Sequence, residues 1–242
     1  MNIILLSIIV IYQMVISIVD SKDSKKYFTK KKKVDKIKYL KEAVFFGWVT
    51  TIIVLIFVVI SNITLFDLGF RSITLSNIIW LNITTFIIGG FLILILLLQT
   101  IQCLQTKNQK LLREIYNKNK ESKNPYDWTI YNLLIPETKA EKKWFLGVSL
   151  TAGICEEIIY RGAIIFLLLN IFPAFNFWIA GIISCILFGL MHSYQGIGGI
   201  IKTGLLAILF VLLYYVTNSI IPGIIIHFLL DYSSVFLAGN ER

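Results

Sequence analysis

Apolar residues run in long stretches along most of this chain, and polar residues gather between them. The runs Asn2 to Val19, Ala43 to Ile60, Ile78 to Cys103, Trp144 to Asn170, Phe175 to His192, Gly199 to Val216 and Ile220 to Leu237 each have the length needed to cross a bilayer. No alternating ten-residue pattern of a barrel strand accompanies them. The runs are therefore predicted as helices, which satisfy their own backbone hydrogen bonds in lipid. The expected fold class is all-α: a polytopic transmembrane helical bundle of about seven to eight spans. The fourth run is long enough to tilt or to emerge into water.

Composition and charge sharpen this reading. The chain is 57% hydrophobic with a mean hydropathy of +0.77, as in polytopic membrane proteins. Its formal charge of +9 is not spread evenly. Ten lysines lie between Lys22 and Lys41, and nine more Lys or Arg lie between Lys107 and Lys143. These segments flank one pair of spans, so both fall on one side, which the positive-inside rule makes the cytoplasm. Anionic lipid headgroups explain the run Lys30-Lys31-Lys32-Lys33, and no nucleic-acid partner is expected. The first apolar run lacks a basic region before it and a small-residue cleavage site, and its positive charge follows it. That pattern predicts a retained span with its N-terminus outside, and an integral membrane protein. Cys103, Cys155 and Cys185 lie in or beside spans and suggest small apolar residues, with no disulfide framework.

Three regions follow. Residues 1–104 hold the N-terminal transmembrane spans with the basic cytoplasmic loop, residues 105–143 form a cytoplasmic linker, and residues 144–242 form a C-terminal transmembrane core. The linker is expected to contain a short helix around Lys110 to Tyr116 and a turn at Asn124-Pro125. Ser61 to Asn77 is mixed in character and is expected along the outer interface. Gly196-Ile197-Gly198-Gly199 reads as a turn that lies with Lys202 on the cytoplasmic side.

Candidate chemistry is confined to the last region. Between Trp144 and Asn240 the formal charges are Glu156, Glu157, Arg161, Lys202 and Asp231, and the only two histidines of the chain, His192 and His227, lie there too. Ionisable groups placed in hydrocarbon are costly and mark function. On an α-helix Glu157 and Arg161 stand at i and i+4, within ion-pairing reach, while Glu156 points about 100° away. This divides the labour: Glu157 pairs with Arg161 and holds the helix, and Glu156 faces a cavity where it can take a proton from water and return it. Phe188, one turn before His192, can fix that imidazole. Asp231, one turn after His227, can orient the second imidazole, share a metal or hydrogen-bond an intermediate.

The arrangements Glu156-Glu157-x-x-x-Arg161, Phe188-x-x-x-His192 and His227-x-x-x-Asp231, in this order, resemble the CAAX protease and bacteriocin-processing family of intramembrane proteases, also called the Abi family. The flanking words Ala152-Gly153-Ile154-Cys155, Tyr160-Arg161-Gly162 and Ser193-Tyr194-Gln195-Gly196 are similar to its bacterial members, and the resemblance covers roughly Pro136 to Leu237. It implies an endopeptidase with Glu156 activating water, His192 as its partner, His227 and the residue four further on stabilising the oxyanion, and Glu157 with Arg161 as the supporting ion pair. Many relatives carry asparagine where this chain has Asp231. An ionised aspartate cannot donate to an oxyanion, so that role requires a protonated Asp231 or falls to His227 alone. Glu156, His192, His227 and Asp231 also make a plausible ligand set for a divalent metal such as Zn²⁺, and metal-bound and metal-free mechanisms both stay open.

The family name suggests cleavage after a prenylated cysteine. A chain low in Ala and Gly and rich in Ile, Lys and Asn points instead to an AT-rich bacterial genome, where peptide precursors or membrane proteins are the better expected substrates. Two readings of other classes remain beside the protease. One is a non-catalytic membrane scaffold or bacteriocin-immunity factor, and the other a proton or ion pathway through the same buried charges.

Overall fold

The computed structural model describes residues 2–29, 36–104, 136 and 138–233. The lysine run, the helix expected around Lys110 to Tyr116, the Asn124-Pro125 turn and the end of the last expected span lie outside these residues. Everything described is helix, turn or irregular chain, with no strand among the described residues, as the all-α reading requires.

Helix α1 covers Asn2–Thr29, α2 Lys36–Ile60 and α3 Ile79–Leu104. A continuous rod follows, composed of α4 (Lys139–Thr151), a π-helical segment π1 (Ala152–Ile164) and α5 (Ile165–Ile171). Then come α6 (Phe177–Met191), a 3₁₀ turn at Ser193–Gln195, α7 (Gly196–Thr217) and α8 (Ile221–Ser233). The rod starts at a capping box: Thr138 Oγ1 accepts from the Glu141 amide at 3.2 Å, and Glu141 Oε2 accepts from the Thr138 amide at 3.3 Å.

Four details differ from expectation. Residues 196–199 do not turn but form the first turn of α7, because Gly196 takes the positive φ of 77° at the entry and the 3₁₀ turn has already reversed the chain. The fourth rod begins earlier than Trp144, at the capping box. Its middle is π-helical where an α-helix was expected, so its hydrogen bonds reach one residue further. Finally, among the described residues two helices are long and apolar enough to cross a membrane by themselves, Lys36–Ile60 and Ser193–Thr217. α6, at 15 residues, and the 13 described residues of α8 span only about 20–23 Å at 1.5 Å per residue, short of the ~30 Å hydrocarbon core. The caps at Asn176 and the turn after His192 cut α6 short of its apolar run.

Large apolar side chains cover the outside: Val59 is 77% exposed, Trp80 78% and Ile197 78%. Such a surface belongs in lipid, and the chain is a membrane protein. π1 sits at the centre, packed by α2, α6, α7 and α8, with α4 and α5 continuing it at either end. Glycines set its closest approaches. A Cβ at Gly153 would stand 3.0 Å from both the Ile224 carbonyl and the Phe228 amide nitrogen of α8. α6 and α7 approach each other at Gly189, where a Cβ would meet the Ile200 carbonyl at 2.7 Å.

The segment between α2 and α3 is a strap across the ends of the later helices. The Thr74 and Ser76 amides donate to the carbonyls of Thr217 (3.0 Å) and Val216 (2.9 Å), and the Ile220 amide donates to Gly69 O (3.0 Å). Ser219 Oγ donates to Arg71 O (2.8 Å), and the strap's Leu68 is buried against Gly162 of π1.

A Cβ at Gly162 would fall 2.8 Å from Leu68 O, a backbone atom held by the strap's own hydrogen bonds. Gly162→Ala is therefore expected to lower stability by about 1–3 kcal/mol through overpacking. Gly90→Ala in α3, with nothing within 4 Å, serves as the control and should stay within about 0.5 kcal/mol. Thermal unfolding of both variants in one detergent checks this, and equal midpoints would mean the strap does not bear on π1.

Candidate active site

Glu156, Glu157 and Arg161 enter the core from π1, His192 from the C-terminal end of α6, and His227 and Asp231 from α8. The bundle brings Glu156, Glu157, Arg161, His227 and Asp231 into one chain of contacts. His192 joins it through the Phe188 ring.

Glu157 and Arg161 are the innermost members, 0% and 1% exposed. Arg161 Nη1 donates to Glu157 Oε1 at 3.0 Å, as the four-residue spacing predicts. Arg161 Nη2 donates to the Ala207 carbonyl of α7 at 3.4 Å. The guanidinium lies over the rings of Phe188 and Phe210, its carbon 4.6 and 4.9 Å from their centroids. Arg161 Nε and Glu157 Oε2 have no hydrogen-bond partner among the described residues.

His227 completes this group from α8. Its Nδ1 stands 3.0 Å from Glu157 Oε1, and a carboxylate that is also paired with arginine can only accept, so Nδ1 carries the proton. Nε2 then points between two further carboxylates, 3.7 Å from Glu156 Oε2 and 3.7 Å from Asp231 Oδ2. Neither separation is a hydrogen bond. The side chains of Glu156 and Asp231 are 29% and 39% exposed while Glu157 is closed off, although the Glu156 Oε2 that faces the imidazole is itself buried. Glu156 Oε2 has no hydrogen-bond partner among the described residues.

His192 sits at the turn ending α6. Its Nδ1 lies 2.8 Å from the Phe188 carbonyl, which can only accept, so the neutral ring carries its proton there and presents a lone pair at Nε2. The Phe188 ring packs against both imidazoles, with centroids 4.6 Å from His192 and 6.0 Å from His227. The turn after His192 is tied to α1 by the pair Ser17 Oγ and Ser193 Oγ at 2.8 Å.

Glu156, His192, His227 and Asp231 were the expected ligands for a divalent metal. Among the described residues no three of His, Cys, Asp or Glu are disposed to hold an ion. The Phe188 ring packs between the two imidazoles, while Glu156 Oε2 and Asp231 Oδ2 both stand 3.7 Å from His227 Nε2.

Two residues of this group were not singled out from the sequence. Phe210 is fully buried on α7 and stacks on His227 at 4.9 Å and 18°, with Arg161 over the same ring. Gly223 faces the pair closely enough that a Cβ would sit 2.9 Å from Glu157 Oε2. Neither carries a sequence signal, since each is one more apolar or small residue in an apolar run.

Residues 140–233 match the family model described as type II CAAX prenyl endopeptidase, Rce1-like. The match takes in all six candidate residues and agrees with the resemblance carried by the three motifs. It spans less than half of the chain. No curated protein and no solved structure matches the chain.

Removing one partner of a buried ion pair costs about 3–5 kcal/mol because the other charge is left uncompensated. Arg161→Met is expected to destabilise by that order, and the double variant Glu157→Gln, Arg161→Met by less than the single one. Unfolding of the set in detergent gives the coupling. A double variant no more stable than Arg161→Met would mean the loss comes from packing on Phe188 and Phe210, not from charge.

Proposed function

We propose, from the Rce1-like CAAX endopeptidase match of residues 140–233 as premise, that this membrane protein is an intramembrane endopeptidase that cleaves a membrane-associated peptide or protein. The observation that carries the reading is the two-sided environment of His227. One nitrogen is locked to the buried Glu157–Arg161 pair, while the other faces the partly exposed side chains of Glu156 and Asp231. A purely structural polar core has no need of a second, partly exposed carboxylate pair around the same ring.

In this mechanism Glu156 accepts a proton from a water molecule lodged against it, and the oxygen of that water attacks the scissile carbonyl carbon. The carbonyl π pair moves onto its oxygen, giving a tetrahedral oxyanion. Collapse of the oxyanion breaks the C–N bond, and Glu156 returns its proton to the departing nitrogen, leaving a carboxylic acid, which then loses its proton to water or to the amine, and an amine as products. His192, with its Nε2 lone pair, orients the water. His227 borders the oxyanion and is held in place by Glu157 and by the Phe210 stack. Asp231, where asparagine is common in the resembling family, contributes to the oxyanion only in its protonated form. The mechanism routes no step through a metal.

The same reading places seven crossings in a bacterial plasma membrane with the N-terminus outside. The basic segments and the 3₁₀ turn after His192 then face the cytoplasm, so substrate enters from that side or from the adjoining leaflet. The prenyl-protein substrate in the family model's description belongs to that model. For this chain the substrate class is the broader one of membrane-associated peptides and proteins.

Peptide termini in membranes of cells expressing wild type or Glu156→Gln at equal levels test the activity without a guess at substrate. Loss of a general acid–base should cost about 10²–10⁴ in rate, so termini made by the wild type should vanish in the variant. Identical profiles would leave the scaffold reading in place. Once a substrate is in hand, prolonged treatment with a strong chelator is expected to leave cleavage unchanged. A loss restored by added Zn²⁺ would establish the metal-bound mechanism instead.

A further inference from the structure

At the end of the bundle away from His192, the strap, α5, α6 and α7 enclose a cavity of about 410 Å³. Its floor is apolar, formed by Ile165, Phe166, Leu169 and Phe177, and its rim carries Arg71 and Asp67. A volume of this size suits a small ligand or part of a larger one.

Both rim charges are held in place and only partly used. Arg71 Nε donates to the Phe66 carbonyl at 2.7 Å and Nη1 to Asn218 Oδ1 at 2.8 Å, and the guanidinium carbon lies 4.6 Å from the Phe66 ring centroid. Two of its five N–H donors are engaged, and Nη2 has no protein partner among the described residues. Asp67 Oδ2 accepts from the Thr64 amide at 2.8 Å and from its hydroxyl at 2.7 Å, while Oδ1 accepts nothing among the described residues. The Thr64 hydroxyl and amide, aided by Arg71, hold the Asp67 carboxyl below its ordinary range, so it carries its charge. The two side chains stand four residues apart in the strap, yet each is fixed by other groups and they do not pair with each other.

The cavity also lies at a recognisable depth. Trp178 and Tyr215 pack at 4.4 Å with their rings tilted by 37° on its edge, Tyr214 lines it, and exposed Trp80 opens α3 just beyond the strap. Amphipathic rings gather where headgroups meet hydrocarbon. A ligand suited to this place has one negative and one positive group in its head and an apolar tail below them.

We propose that this cavity binds a phospholipid whose headgroup carries both a phosphate and a primary ammonium, with the phosphate on Arg71, the ammonium on Asp67 and an acyl chain along Phe166 and Leu169. The site is separate from Glu156 and its neighbours and does not depend on the peptidase reading. The lipid would pin the strap to α5 and α7, and so brace π1 through Leu68.

The test uses the full chain, delipidated and placed in phosphatidylcholine nanodiscs doped with equal fractions of phosphatidylethanolamine and phosphatidylglycerol, with retained lipid counted by native mass spectrometry. Wild type should retain one phosphatidylethanolamine, preferred about tenfold or more, the scale of one charge-assisted hydrogen bond. Asp67→Asn should transfer that preference to phosphatidylglycerol, and Arg71→Gln should lose both lipids. Arg71 also ties the strap, so Leu169→Trp, which fills the floor and leaves the rim intact, provides a second route. It should abolish retention while the unfolding midpoint without lipid stays at the wild-type value. Free glycerophosphoethanolamine at millimolar concentration should not displace the lipid. Retention of the same lipids in the same proportions by wild type, Asp67→Asn and Leu169→Trp would mean annular lipid only and would overturn the proposal, as would full displacement by the free headgroup.

Discussion

The buried pair of Glu157 and Arg161 is the constraint around which this bundle is organised. Two full charges with almost no exposure are tolerable in an apolar core only if each finds several partners. Those partners come from three different helices: the Ala207 carbonyl and the Phe210 ring from α7, the Phe188 ring from α6, and the His227 imidazole from α8. Compensating the charge and assembling the bundle are therefore one event. Hydrophobic burial alone would let α6, α7 and α8 slide along π1, since lipid is as apolar as their side chains. The ion pair fixes their register, and with it the place where His227 meets Glu156.

The π-helical stretch fits this demand. A helix whose hydrogen bonds reach one residue further leaves main-chain carbonyls that neighbours can use. Ser184 Oγ of α6 donates to Tyr160 O at 2.7 Å, one residue before Arg161. π segments are uncommon and concentrate at functional sites, where they present side chains that a regular helix would turn away. Here the stretch carries two adjacent carboxylates to different destinations, Glu157 inward to the arginine and Glu156 toward Nε2 of His227. Gly153 and Gly223 then allow α8 to come close enough for His227 to reach both.

Much of this was legible in the sequence, for identifiable reasons. Helix positions followed from apolar runs bounded by polar residues, and the Glu157–Arg161 contact from a spacing of four. The chemical residues stood out because charge is rare in that region. What stayed hidden was whatever depends on packing between segments distant in the chain. Phe210 is one aromatic among many until α7 is laid beside α8, and the π register is a property of the packed rod and not of any single residue in Ala152–Ile164. The strap resisted reading for another reason. Ser61 to Asn77 has no periodicity, and its role rests on main-chain bonds to Val216 and Thr217 and on Leu68 meeting Gly162, none of which leaves a compositional trace.

These observations give the bundle two unlike ends joined by one rod. At one end stand His192 and the turn tied to α1 through Ser17, and at the other the strap and its charged rim. Between them π1 passes from Glu156 to Gly162 in less than two α-helical turns. Leu68 rests on that last glycine, one residue from Arg161. Arg161 in turn donates to Glu157, whose same oxygen meets His227 Nδ1, so contacts run without a break from the strap to the imidazole. The strap and the face of His227 that meets Glu156 are thereby parts of one packed unit, held together by the same buried ion pair.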